Sequence, residues 1–128
     1  MAKILVVDDD AAVRRVVRLR FERAGHTVTE AESAFQALDV LKTEPPDAVV
    51  CDVVMPGMDG LTFYQHLVER APNLRNRVVF LTGANRDPGV HQPIERLGVP
   101  LLGKLDDLQL VLDAVHVALL PPHVPEVR

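Results

Sequence analysis

The chain has 128 residues, of which 48% are hydrophobic, and a formal net charge of −4. This length suits one domain, and the hydrophobic content is sufficient for a buried core. The negative charge gives no electrostatic basis for direct binding to nucleic acid or to an anionic membrane, and no apolar stretch approaches the roughly 18 residues of a membrane span.

Cysteine usage and the chain start point to a reducing compartment. Cys51 is the single cysteine, so an internal disulfide is excluded. Its place in an apolar run favours a small buried hydrophobic side chain over a reactive thiol. Because Met1 to Lys3 lead directly into a strand pattern, we expect no signal peptide and a cytoplasmic location.

Strand-like and helix-like patterns alternate five times along the chain. Short apolar or alternating runs predict strands at 3–7, 26–31, 48–51, 78–81 and 99–102. Helical spacing of apolar residues, with Gly or Pro as end signals, predicts helices at 13–24, 33–44, 60–71, 86–97 and 108–120. Ser33 and Gln36 fit a capping box at the start of the second helix.

This alternation predicts a parallel sheet with helices on both faces. The first, third and fourth strands are continuously apolar, as central strands should be. The second strand alternates, and the fifth contains Pro100, which cannot donate to a ladder; both are expected at the edges. The strand order 2-1-3-4-5 follows, which is the flavodoxin-like (βα)5 doubly wound fold.

Acidic residues end two of the central strands. Asp8, Asp9 and Asp10 follow the first strand, and Asp52 closes the third, ahead of a Pro/Gly-rich turn. In the predicted order these strands are neighbours at the switch point, where such sheets bind ligands. Several carboxylates at one point repel one another unless a cation is present. The pattern therefore predicts a divalent-metal site with a carboxylate nucleophile, strained in the metal-free state.

These residues form an ordered set with Thr82 and Lys104, which follow the fourth and fifth strands. The set resembles the receiver domain of the two-component response-regulator family, and the resemblance covers about residues 2–120. It implies a receiver domain at 1–120 followed by a Pro-rich tail at 121–128. Residues 78–83 and 95–101 are most similar to receivers attached to hybrid histidine kinases.

The resemblance implies a role for each residue. Asp52 is the phosphoacceptor; Asp8, Asp9, Asp52 and the backbone carbonyl of Val54 hold Mg²⁺. Thr82 contacts the phosphoryl group and Lys104 pairs with it. The expected function is that of a stand-alone switch, phosphorylated by a histidine kinase or a phosphotransfer domain. Such a protein is not an enzyme in the usual sense, although receivers catalyse their own phosphorylation and hydrolysis.

Three positions depart from the family pattern, one of them Val54, which is apolar where many members carry a polar side chain. Leu105 stands where the family has proline after the lysine, so the cis or trans state of the Lys104–Leu105 peptide is open. Leu101 occupies the position of an aromatic switch residue, so a rotating ring cannot report phosphorylation. These departures keep open an alternative, a pseudo-receiver that acts as an interaction module without phosphate.

Two other phosphate-handling classes share parts of the pattern. A haloacid-dehalogenase-like phosphohydrolase would use Asp8, Asp10, Thr82, Lys104 and 106–107, but the chain is short for it and Asp52 would be unexplained. A nucleotide-binding P-loop would need Ser or Thr after Lys104, where Leu105 stands.

Other polar and apolar groups receive simpler interpretations. The five histidines show no metal-ligand spacing and are expected at the surface or at interfaces: His26, His66, His91, His116 and His123. The arginines of the first helix are expected to form a solvated face. Ten of the thirteen residues at 108–120 are apolar, which predicts a homodimer or partner surface on the last helix, unless the tail folds over it.

Overall fold

The computed structural model describes residues 1–83, 88–104 and 107–121. The strands are β1 (Lys3–Val7), β2 (Thr27–Ala31), β3 (Ala48–Asp52), β4 (Val78–Thr82) and β5 (Leu101–Gly103). The helices are α1 (Ala11–Arg23), α2 (Ala34–Thr43), α3 (Gly60–Arg70), α4 (Pro88–Glu95) and α5 (Leu108–Leu119), with a 3₁₀ turn at Pro72–Leu74.

The sheet has the predicted flavodoxin-like topology. Its order is β2-β1-β3-β4-β5, and every pairing is parallel. Because successive side chains of a strand point to opposite faces of the sheet, the central strands contribute side chains to two apolar clusters. Leu5, Val49 and Phe80 belong to one, and Ile4 and Val50 to the other. Cys51 is fully buried, as expected, and burial raises the pKa of its thiol well above the usual value.

Several predicted boundaries shift by one or two residues, among them the start of α1, which is Ala11 and not 13. Two of these shifts have identifiable reasons. Strand β5 begins at Leu101 and not at 99, because Pro100 has no N–H; its carbonyl instead accepts from the Phe80 amide at 2.9 Å. Helix α4 ends at Glu95, before the predicted position 97. Gly98 supplies the left-handed conformation of the following turn, with φ of +75°. Of the predicted helix start, residues 86 and 87 lie outside the described part of the chain.

Polar side chains start four of the helices. Asp10, Ser33, Asp59 and Asp107 each accept a hydrogen bond from a backbone N–H in the first turn. Caps of this type contribute about 1 kcal/mol each. The capping interpretation of Ser33 is confirmed, and Asp10 and Asp59 also act as caps. Within the described residues, no helix has both the length and the apolar character needed to cross a membrane.

Gly60 lets α3 start against the end of β3. A Cβ on Gly60 would lie 2.5 Å from the carbonyl oxygen of Asp52 and 3.0 Å from the Cα of Val53. These backbone atoms cannot yield without displacing Asp52, so Gly60→Ala is expected to lower the free energy of unfolding by about 2 kcal/mol, as overpacking does.

Urea denaturation measures this effect, with Gly83→Ala as the matched control. A Cβ on Gly83 meets nothing within 4 Å, so that variant should stay close to wild type. Equal stability of the two alanine variants would show that the contact at Gly60 does not constrain α3.

Candidate functional site

The predicted site residues meet at the carboxyl edge of the sheet. Asp8 follows β1, Asp52 ends β3, Thr82 ends β4 and Lys104 follows β5. Parallel pairing brings these ends together, and the Lys104 amide donates to the Thr82 carbonyl at 2.8 Å. The fold thus collects groups from four strand ends into one site at the topological switch point.

A single ammonium group bridges two buried carboxylates. The Lys104 Nζ lies 2.8 Å from Asp52 Oδ2 and 2.9 Å from Asp8 Oδ2. The carboxylate side chains of Asp8 and Asp52 are only 2% and 5% exposed, and that of Lys104 is 18% exposed. Lys104 therefore supplies the countercharge that buried anions require.

The ammonium group does not fully compensate the buried charge. Burial raises the pKa of Asp52 to about 6, and the negative charge of Asp8 adds to this effect. The hydrogen bonds from Lys104 and from the Val54 amide oppose it. For Lys104, burial favours the neutral form, but the two carboxylates outweigh it and raise the pKa above its usual value. The site therefore carries an excess of negative character.

The acidic residues fit a divalent cation. Carboxylate oxygens of Asp8, Asp9 and Asp52 lie within 4.8 Å of one another. Asp8 Oδ2 is buried, and its close polar contact within the described residues is the ion pair with Lys104 Nζ. Mg²⁺ prefers such oxygen ligands. The Val54 amide lies 3.3 Å from Asp52 Oδ1; its carbonyl as a metal ligand stays a prediction.

One positioning contact had no signal in the sequence. Arg14 Nη1 donates to the backbone carbonyl of Asp8 at 2.7 Å, and its Nε bonds to Glu30 on β2 at 3.1 Å. The side chain is only 13% exposed. The expectation of a solvated arginine face is therefore wrong for Arg14, since one arginine in a run of five cannot be singled out by spacing.

Thr82 has an unexpected partner. Its hydroxyl Oγ1 lies 2.9 Å from Nε2 of His91 on α4, and both residues are buried. The surface interpretation is thus wrong for His91, because it lies on the inward face of α4. The surface interpretation holds for His116, which is exposed. Its Nε2 lies 2.8 Å from Nε2 of half-buried His26, just before β2.

The geometry disfavours both rival phosphate sites. The Asp10 side chain is exposed and occupied with the first turn of α1, and Asp107 caps α5; a haloacid-dehalogenase-like site would need both in the cluster. Residues 98–103 form a turn and β5, not a loop that could surround phosphate. Leu105 and Asp106, and with them the state of the Lys104–Leu105 peptide, lie outside the described residues.

The chain combines a flavodoxin-like sheet with an acidic cluster and a lysine at its switch point. Residues 4–115 match the family model described as "Response regulator receiver domain". The chain therefore belongs to the response-regulator receiver family.

Individual relatives agree with this assignment. The chain is 30% identical over 113 residues to sporulation initiation phosphotransferase F of Bacillus subtilis, covering 88% of this chain and 90% of that protein. It is 37% identical over 97 residues to the sensory/regulatory protein RpfC of Xanthomonas campestris, covering 75% and 13%. It spans less than two thirds of several other relatives, such as 28% of response regulator MprA of Mycolicibacterium vanbaalenii, at 46% identity over 51% of this chain.

Solved structures share the fold. A response-regulator receiver domain protein from Clostridium thermocellum superposes with a TM-score of 0.81 at 24% identity, covering 93% of this chain and 94% of that one. At this identity the likeness shows the fold alone. A two-component response regulator of the LuxR family from Aurantimonas also gives 0.81, at 26% identity over 93% and 85%.

Proposed function

We propose that this receiver domain accepts a phosphoryl group on Asp52 in a Mg²⁺-dependent reaction and acts as a cytoplasmic signalling switch. The observation that carries the proposal is the position of Asp52. It is a buried carboxylate at a strand end, with carboxylate oxygens of Asp8 and Asp9 within 4.8 Å and the Lys104 ammonium at 2.8 Å. The donor is the phosphohistidine of a histidine kinase or of a phosphotransfer protein.

The proposed reaction exchanges one bond to phosphorus for another. A carboxylate oxygen of Asp52 bonds to phosphorus while the bond from phosphorus to the histidine nitrogen breaks, and that nitrogen keeps the electron pair. Mg²⁺, when bound, neutralises charge on the transferring oxygens. Lys104 pairs with a phosphoryl oxygen, and the Thr82 hydroxyl donates to another. Hydrolysis returns Asp52 to a carboxylate, so the protein is a self-modifying switch and not an enzyme with a separate substrate.

Mass spectrometry of the intact protein tests this function. With acetyl phosphate as donor, wild type should gain one phosphate in Mg²⁺ and none in EDTA, because the acidic cluster repels the anionic donor without a cation. Asp52→Asn should gain none. The exposed Asp39→Asn is the matched control and should behave as wild type.

Three outcomes separate the alternatives. Phosphate on Asp52→Asn would contradict the assignment of the phosphoacceptor. A wild type that takes up no phosphate would favour the pseudo-receiver, which acts without phosphorylation. The third outcome concerns Asp8. If Asp8→Asn takes up no phosphate at saturating Mg²⁺ while Asp52→Asn still does, a phosphohydrolase of the haloacid-dehalogenase type would be favoured.

We further propose that α5 carries a contact surface for a second copy of the chain. Val111, Leu112 and Val115 are buried against the sheet, but Leu110 and Val117 on the outer face are 52% and 68% exposed. Contiguous exposed apolar surface of this kind often marks an interface.

Sedimentation measures this association. Wild type should shift toward dimer as concentration rises, and Leu110→Glu/Val117→Glu should stay monomeric, because charge at the contact disfavours burial. A wild type that stays monomeric at high concentration would contradict the proposed surface. The alternative is that the Pro-rich tail covers this face of α5; the tail beyond residue 121 lies outside the described residues.

A further inference from the structure

The Thr82–His91 hydrogen bond joins the phosphorylation site to α4. Thr82 ends β4, one residue beyond Leu81, which pairs with Asp52 in the sheet. His91 lies one turn before Ile94 on α4. Among residues 89–95, His91 and Ile94 are the two that are buried. The helix is therefore held to the sheet through the apolar side chains of Ile94 and the partly buried Val90 and through one imidazole, whose partner is Thr82.

The hydroxyl of Thr82 cannot serve two acceptors at once. It has one proton to donate and two lone pairs to accept with. If that proton goes to a phosphoryl oxygen, Thr82 can only accept from His91. The imidazole must then present an Nε2–H group, or the bond breaks and leaves buried polar atoms without a partner, which is unfavourable.

The apolar side chains packed around α4 carry no polar group of their own. Leu101 on β5 is partly buried in the same cluster as Ile94 and Val90. A leucine side chain has no hydrogen-bonding group, so its contacts do not depend on whether the Thr82 hydroxyl bonds to His91 or to the phosphoryl group. In the described part of this surface, His91 is the polar side chain bonded to Thr82, so a change in the bonding of the hydroxyl reaches α4 through it.

We infer that His91 is a positioning residue for Thr82 and transmits the phosphorylation state of Asp52 to α4. This inference rests on the proposed function and adds the path of the signal within the domain. Before phosphorylation the hydroxyl and the imidazole hold each other, and α4 stays docked. After phosphorylation the hydroxyl turns to the phosphoryl group, and His91 changes its hydrogen bonding or leaves, which moves the start of α4.

Nuclear magnetic resonance of the full wild-type chain tests the inference without a mutation. The imidazole ¹⁵N signals report which ring nitrogen carries the proton. Adding acetyl phosphate with Mg²⁺ should shift the Nε2 signal of His91 and the amide signals of α4, while intact mass confirms the added phosphate. His66, in the middle of α3, is the internal control, and its signals should stay unchanged.

Variants then separate positioning from a merely structural role. His91→Leu should still be phosphorylated, but its α4 amide signals should lose the response to phosphate. His91→Gln keeps a hydrogen-bonding group and should retain part of the α4 response to phosphate. His66→Leu, the control variant, should retain the full response. If His91→Leu fails to fold, the wild-type imidazole signals decide the matter alone.

The two proposals fail in different ways. Phosphorylated wild type with unchanged His91 signals would overturn the inference and leave the proposed function intact. A full α4 response in folded His91→Leu would overturn it as well. A wild type that takes up no phosphate would contradict the proposed function, and the inference with it.

Discussion

Replacing Asp52 by asparagine is expected to raise the free energy of unfolding of the metal-free protein by about 2–3 kcal/mol at pH 8. Burial gives Asp52 a pKa of about 6 in the folded protein, against an ordinary value of 3.8. Each pKa unit corresponds to about 1.4 kcal/mol, so the ionised side chain destabilises the fold. An amide removes this cost and can still face Lys104 and the Val54 amide.

The gain should depend on pH in a defined direction. Because the folded pKa lies above the unfolded one, the folded state binds the proton more tightly. The stabilising contribution of protonated Asp52 is complete below its ordinary value of 3.8 and is lost as the pH rises through about 6. Asp52→Asn should therefore differ little from wild type at pH 4 and most at pH 8.

Urea denaturation in EDTA at pH 4, 6 and 8 measures both the size and the direction of this effect. Asp39→Asn, at an exposed position on α2, controls for the loss of one charge and should show no such pH dependence. Excess Mg²⁺ should stabilise wild type by mass action and Asp52→Asn less. A gain that is the same at pH 4 and pH 8 would contradict the assigned pKa.

Replacing Lys104 by methionine is expected to have the opposite effect, a loss of about 3 kcal/mol in EDTA at pH 8. The side chain is the cation that both Asp8 and Asp52 contact at less than 3 Å. Removing one partner of a buried ion pair leaves uncompensated charge and costs about 3–5 kcal/mol. The lower end applies because Lys104 keeps partial access to water and Asp52 can take up a proton.

Two conditions and one control make this prediction specific. The loss should shrink at pH 5, where Asp52 is largely protonated, and in excess Mg²⁺, which supplies another countercharge. Lys42→Met, at an exposed position in the last turn of α2, should cost less than about 1 kcal/mol. Should Lys104→Met be as stable as Lys42→Met in EDTA, the bridging ammonium would not be what compensates the cluster.

The strand order and the acidic cluster could be predicted because both depend on patterns within single segments. Continuous apolar runs mark the central strands. Parallel strands place their carboxyl ends at one edge, so Asp8 and Asp52 had to lie close once β1 and β3 were assigned as neighbours. The predicted start of β5 at 99 is wrong by two residues, because Pro100 has no N–H to join the ladder.

The contacts of Arg14 and His91 could not be predicted, because they join segments whose distance apart is set by tertiary packing. Arg14 follows Asp8 by six residues, but its side chain is also held by Glu30 on β2, which lies 16 residues further along the chain. His91 meets Thr82 only because α4 turns this face toward the sheet. In the sequence each is one polar residue among several, and no spacing rule distinguishes it from its neighbours.

Reduction of the phosphorylated protein with borohydride tests the central claim most directly. Borohydride converts an aspartyl phosphate to homoserine, which peptide mass spectrometry locates in the chain. After treatment with acetyl phosphate and Mg²⁺, homoserine should replace Asp52, and the modification should be absent in EDTA. Homoserine at position 8, or phosphate that resists reduction entirely, would contradict the account of Asp52 as the phosphoacceptor.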